Sequence, residues 1–144
     1  RFFMKSLTLE HLNEVDFFVL AINSHAKGYK LCWEINNKLS LDFIKNEYHK
    51  PEESKGVEFS RFTSENKDLE TQYDLISNYS KGGYLLPKFK NIEYFLKIQN
   101  PFWEKEKKEF IGKLGGLAEI LLIFEFDLES INSLKPFIFS DKKN

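Results

Sequence analysis

Cysteine is almost missing from this chain: Cys32 is the only one among 144 residues. No disulfide can form within the chain, which fits a reducing compartment, and a cytoplasmic location is expected. Charge of one sign is also lacking, since 21 Lys and Arg balance 22 Asp and Glu to give a net charge of −1. Nothing in that balance holds a phosphate backbone globally, so strong autonomous nucleic-acid binding is not expected, although a local patch remains open. Long apolar runs are absent. The longest, Phe17–Ile22 and Ile120–Phe124, are far too short to span a bilayer, so no membrane association is expected. No long apolar stretch precedes Glu10, so no secretory leader is expected either. The opening Arg-Phe-Phe-Met points to a native start at Met4 or to a trimmed fragment. Internal repeats, low-complexity segments and linkers are missing too.

Catalytic signatures are equally scarce. His11, His25 and His49 share no ligand spacing, and no HExxH, CxxC or acidic calcium loop accompanies them. Gly112-Lys113-Leu114-Gly115-Gly116 lacks the spacing of a phosphate loop and lies at a helix end of the wrong polarity for anions. There is no GxSxG, and Cys32 has no positioned base, sitting instead among Leu31, Trp33 and Ile35 as a buried structural thiol. Glu93 and Asp74 are strand acids able to meet across a sheet, but salt-bridged or solvated acids are the simpler reading. Asn78-Tyr79-Ser80 has the letters of a glycosylation site, without meaning in a protein that is not exported. No catalytic residue, cofactor or metal site is therefore expected.

What the chain does have is aromatic side chains: 15 Phe, 6 Tyr and 2 Trp. Hydrophobic residues make up 42% and charged residues 30%, as in an ordinary globular domain. Its length suits one domain, residues 1–144, with a polar tail from Ser140 to Asn144. A phenylalanine-rich core is the simplest use of the rings.

Taken in order, Phe3–Leu9 alternates weakly and reads as a short first strand, followed by a polar turn at Glu10–Glu14. Phe17–Ile22 is apolar throughout, as expected of a strand buried on both faces. Asn23-Ser24 reads as a cap for a helix from about Ala26 to Leu39, with Leu31, Ile35 and Leu39 four apart and Cys32 and Tyr29 beside them. Gly28 weakens its first turn. Leu41–Tyr48 is a strand or its approach, His49–Gly56 a loop, and Val57–Thr63 with Thr71–Tyr79 a hairpin. Ser80–Gly83 is a flexible break. From Ile92, the residues Ile92, Tyr94, Leu96 and Ile98 alternate with Glu93, Phe95, Lys97 and Gln99, predicting a half-buried strand. Asn100-Pro101 reads as a helix start and Gly115-Gly116 as its end, with Phe110, Ile111 and Leu114 inward. Glu119–Phe126 is an apolar strand, Asp127–Lys135 one helical turn, and Pro136–Phe139 packs or pairs. The fold class is α+β: a single mixed, mostly antiparallel sheet of about six strands with two main helices packed on one face. Both Phe17–Ile22 and Ile120–Phe124 are expected to be interior strands.

The most punctuated stretch is Leu85–Gln99. Within it, Leu86-Pro87-Lys88-Phe89-Lys90-Asn91-Ile92-Glu93-Tyr94 resembles the signature of the bacterial IPExxxVDY family. Proline and tyrosine match, with Leu, Ile and Glu as conservative replacements, while Lys88 reverses the charge of the family's glutamate. Asp16–Ile22, Tyr29–Asn36, Tyr73–Asn78 and Phe124–Ile131 are similar to other parts of the family, so the resemblance covers most of the chain. It implies no assigned activity. The expectation is a non-enzymatic interaction or adaptor protein with a protein or ribonucleoprotein partner, homo-oligomerisation remaining open. The alternative is a small enzyme or ligand-binding domain with an aromatic-lined pocket. Pro87, Lys88, Phe89, Lys90 and Tyr94 are the candidate partner-binding residues, because an aromatic flanked by cations stands beside a proline bend that a rigid strand carries, while Phe89 folding back over the core is the simpler reading of that ring.

Overall fold

The computed structural model describes residues 17–51 and 54–139. The expected Phe3–Leu9 strand, the Glu10–Glu14 turn and the polar tail lie outside them. The elements are β1 (Phe18–Asn23), α1 (Gly28–Leu39), β2 (Ile44–Lys45), β3 (Arg61–Asn66), β4 (Thr71–Ser77), β5 (Tyr79–Ser80), β6 (Gly83–Tyr84), β7 (Tyr94–Gln99), α2 (Trp103–Gly115) and β8 (Leu122–Glu125). Single 3₁₀ turns follow at Pro87–Phe89, Leu128–Ser130 and Lys135–Phe137.

Six strands form one sheet in the order β2-β3-β4-β7-β1-β8, and β5-β6 is a separate small hairpin. Every pairing in the six-stranded sheet is antiparallel. The α+β architecture, with six strands and both helices on one face, agrees with the sequence reading.

Alternation along the strands sorts the apolar residues into two cores. Leu20 and Ile22 of β1, Leu75 of β4 and Leu96 and Ile98 of β7 pack with Leu31, Cys32 and Ile35 of α1 and Trp103 and Leu114 of α2. Val19, Ala21, Ile76 and Phe95 project the other way, against Leu85, Leu86, Ile92, Phe126 and Phe137. Among the described residues no α-helix covers this second face. The loop before β7 and the chain after β8 close it instead.

This second layer corrects the reading of β7 as half-buried. Phe95 is fully buried and Lys97 is 4% exposed, so both faces of β7 are covered. Ile92 lies in the loop-side core, away from Tyr94 and Leu96. β1 is interior as expected, lying between β7 and β8. β8 is not: it is an edge strand with Leu122 and Phe124 exposed, because no described strand lies beyond it. An all-apolar run does not by itself distinguish a two-sided core strand from an exposed apolar edge.

The helix starts also differ from expectation. Ser24 Oγ accepts from Ala26 N and Asn100 Oδ1 from Phe102 N, so both side chains cap the turns that precede their helices. The residues before α1 and α2, Lys27 and Phe102, give no side-chain cap. Tyr29 lies on the outer face of α1 at 68% exposed, not in the packing stripe. Gly28 has a packing role, for a Cβ there would fall 2.7 Å from Phe62 Cε1. Gly115-Gly116 ends α2 as expected.

Candidate functional site

The loop from Leu85 to Glu93 is built on one buried side chain, Asn78. Its Nδ2 donates to Phe89 O at 2.9 Å and Ile92 O at 2.8 Å, and its Oδ1 accepts from Leu86 N at 2.8 Å. Its backbone adds Asn78 N to Glu93 O and Leu85 N to Asn78 O. A buried backbone group without a partner is costly, so a loop crossing a sheet face needs an internal source of hydrogen bonds. Asn78 supplies it. In the sequence Asn78 stands out chiefly as the first letter of a glycosylation site, and burial with full occupancy of its amide excludes that use in the folded chain.

Pro87 and Lys88 are exposed in the 3₁₀ turn that Asn78 anchors, and Lys90 is exposed just after it. Phe89 is half-buried, its ring edge-on to Phe126 with centroids 5.0 Å apart. Between this turn and Ser130–Pro136 lies a cleft of about 350 Å³. Leu85, Leu86, Phe89 and Ile131 give it an apolar floor, and Lys88 stands on its wall.

Tyr94 stands apart from these four. It is buried on the helix side of the sheet, where its hydroxyl donates to Ala26 O at 2.7 Å. Burial first, then the neighbouring Cys32 and Glu93, push its phenol up to about 12. Glu93 Oε1 accepts from Ser24 N at 2.8 Å and Asn23 Nδ2 at 3.3 Å. The pair Glu93-Tyr94 therefore clamps the connection between β1 and α1. Asn23 Nδ2 also donates to Asn91 O. Together with Lys90 and the β5-β6 hairpin, this clamp borders a second cleft, of about 420 Å³.

A third group of polar residues gathers around Asp74, which the sequence marks only as a salt-bridged or solvated strand acid. Asp74 is fully buried on β4 and accepts from Arg61 Nε at 3.0 Å, Thr63 Oγ1 at 2.6 Å and Gln72 Nε2 at 3.0 Å. Lys97, its cross-strand neighbour on β7, donates to Phe137 O at 2.8 Å. His49 Nε2 donates to Pro136 O, fixing the proton on that nitrogen. Phe139 lies over these cations, with Arg61 Cζ 3.7 Å and Lys97 Nζ 4.2 Å from its ring centre. Burial is the main cause that lowers the His49 pKa, with Arg61 and Lys97 adding to it and the Pro136 hydrogen bond opposing. The group latches the segment Lys135–Phe139 over the second core through its carbonyls and rings.

Asp74 and Glu93 do not meet, since each is engaged in a different hydrogen-bond set. Cys32 is buried on the helix side, and burial pushes its thiol up to about 12, opposite to the requirement of a nucleophile. Among the described residues, no cluster of His, Cys, Asp and Glu is placed to hold a metal ion. No described helix is long and apolar enough to cross a membrane. No protein-family model matches the chain, and no curated protein matches its sequence.

Proposed function

We propose that this chain is a non-enzymatic binding domain of the cytoplasm and a divergent member of the IPExxxVDY family. Its binding surface is the cleft between the Pro87 turn and Ser130–Pro136. The partner is a protein, alone or within a ribonucleoprotein, and it offers an extended apolar segment carrying an acidic residue. The observation that supports this reading is the cleft itself: an apolar floor with Lys88 on its wall, open beside exposed Pro87 and Lys90. Apolar anchors seated in such a floor supply most binding energy, and a rim cation selects and steers the partner. The Asn78 hydrogen bonds hold the cleft's first wall in place before any partner arrives, which reduces the ordering cost of association.

The test is affinity capture at native expression followed by mass spectrometry, with two variants beside the unaltered chain. Asn132→Trp fills the cleft from an exposed position, and Lys88→Glu reverses the charge on its wall. Both variants should fold and lose the partner recovered by the unaltered chain. Recovery of the same partner at the same yield by both variants would refute this surface.

A further inference from the structure

The second cleft differs in chemistry from the first. Three of its side chains, His25, Lys27 and Lys90, are exposed and basic, and Glu93 is its only acid. Glu93 Oε1 already accepts two hydrogen bonds, from Ser24 N and Asn23 Nδ2. The first turn of α1, which follows Lys27 directly, contains no acidic residue. The other wall is aromatic: the rings of Tyr79 and Tyr84 lie 5.1 Å apart at 59°, and Lys90 Nζ sits 5.5 Å from the Tyr84 ring centre. Tyr79 is 57% exposed and so offers an open ring surface at the mouth.

An apolar peptide would find little here, because Ile92 and Ala26 are the only aliphatic residues in the wall. A ligand that is flat at one end and anionic at the other satisfies both halves of the cleft. Aromatic rings accept any nucleobase by stacking, and adjacent lysines meet the phosphate. We propose that this cleft binds a nucleotide unit, with its base stacked on Tyr79 and its phosphate held by Lys27 and Lys90. The same chemistry is offered by a free nucleotide and by one residue of a single strand. The net charge of −1 supplies no global excess of cations for a long duplex, so the contact proposed is local to this cleft. The inference stands independently of the peptide cleft, which shares neither Tyr79 nor Lys27.

The experiment uses the full chain and two probes: AMP in calorimetry, and a fluorescent single-stranded oligouridine of about ten residues in polarisation. Tyr79→Ala and the double variant Lys27→Glu/Lys90→Glu should each weaken binding at least about tenfold while leaving the melting temperature unchanged. Lys88→Glu, outside this cleft, should bind as the unaltered chain does. Binding of both probes supports a free nucleotide as the source, and binding of the strand alone supports a nucleic acid. Failure of the unaltered chain to bind either probe overturns the proposal. So does equal competition by polyglutamate, or an equal loss in Lys88→Glu, since either would reduce the contact to unspecific charge.

Discussion

Replacing Asn78 by alanine should cost far more than the loss of one small polar side chain from a loop. The amide makes three hydrogen bonds. Phe89 O keeps a second partner in Ile92 N, but Leu86 N and Ile92 O rely on Asn78. Alanine thus strands one buried donor and one buried acceptor, each costing about 1–3 kcal/mol. A loss of roughly 4 kcal/mol is a large part of the stability of an ordinary domain. At this chain length about 1 kcal/mol shifts the melting temperature by roughly 3 °C, so a fall of about 10 °C is expected. Thermal melting followed by circular dichroism reads it directly. Asn78→Asp is the informative companion, for it keeps shape and acceptor but turns a carboxylate toward two carbonyls. Its folded-state pKa should rise, because only the neutral form can donate, so this variant should regain stability as pH falls through that raised value toward the ordinary aspartate pKa of about 3.9. A fall of less than about 2 °C in Asn78→Ala, or an Asn78→Asp variant insensitive to pH, would refute the view that this residue organises the loop.

Three other consequences concern the buried groups. His49 has a folded-state pKa below its ordinary value of 6.5, so its stabilising contribution is complete above about pH 7 and lost as pH falls through 6.5 toward the folded value; urea unfolding should show this limb in the unaltered chain and a flatter one in His49→Gln. Asp74→Ala should lower the unfolding free energy by about 3–5 kcal/mol, because Arg61, Thr63 and Gln72 would all lose the buried carboxylate that accepts from them; a change within about 1 kcal/mol in urea titration would contradict the role of that carboxylate. Cys32 should resist thiol reagents at about pH 8 in the native chain and react once urea unfolds it, since burial holds its thiol up to about 12; rapid labelling of the folded chain would be the opposing result.

The sheet was legible where a simple periodicity governs the residues. β1 carries apolar side chains on both faces because helices cover one face and the loop and C-terminal segment the other, and the six-residue apolar run Phe17–Ile22 says so. The same logic misplaces β8, whose Leu122 and Phe124 lie at the edge of the sheet. On β7, alternation hid a second buried face: Lys97 reads as a solvent residue, yet its head finds Phe137 O and two aromatic rings. A lysine stem and a cation able to rest on rings permit that burial, but the letters do not show which rings arrive from elsewhere. The candidate site divides in the same way. The proline bend and its flanking lysines were visible, because proline and charge act locally. Asn78 and the set around Asp74 were not, since their partners other than Gln72 lie on other strands and loops and no spacing within the chain announces them. The one signal available was a polar residue next to an apolar strand end, as Asn78 follows Leu75-Ile76-Ser77.

The loop anchored by Asn78 frames the cleft proposed to take an acidic, apolar peptide. Selection of a random peptide library on the immobilised chain, with Asn132→Trp as the counter-selected control, tests it most directly. Enriched sequences should carry an aromatic or aliphatic residue beside Asp or Glu and bind the unaltered chain at least about tenfold more tightly than Asn132→Trp or Lys88→Glu. Absence of enrichment, or enriched peptides that bind all three proteins equally, would contradict it.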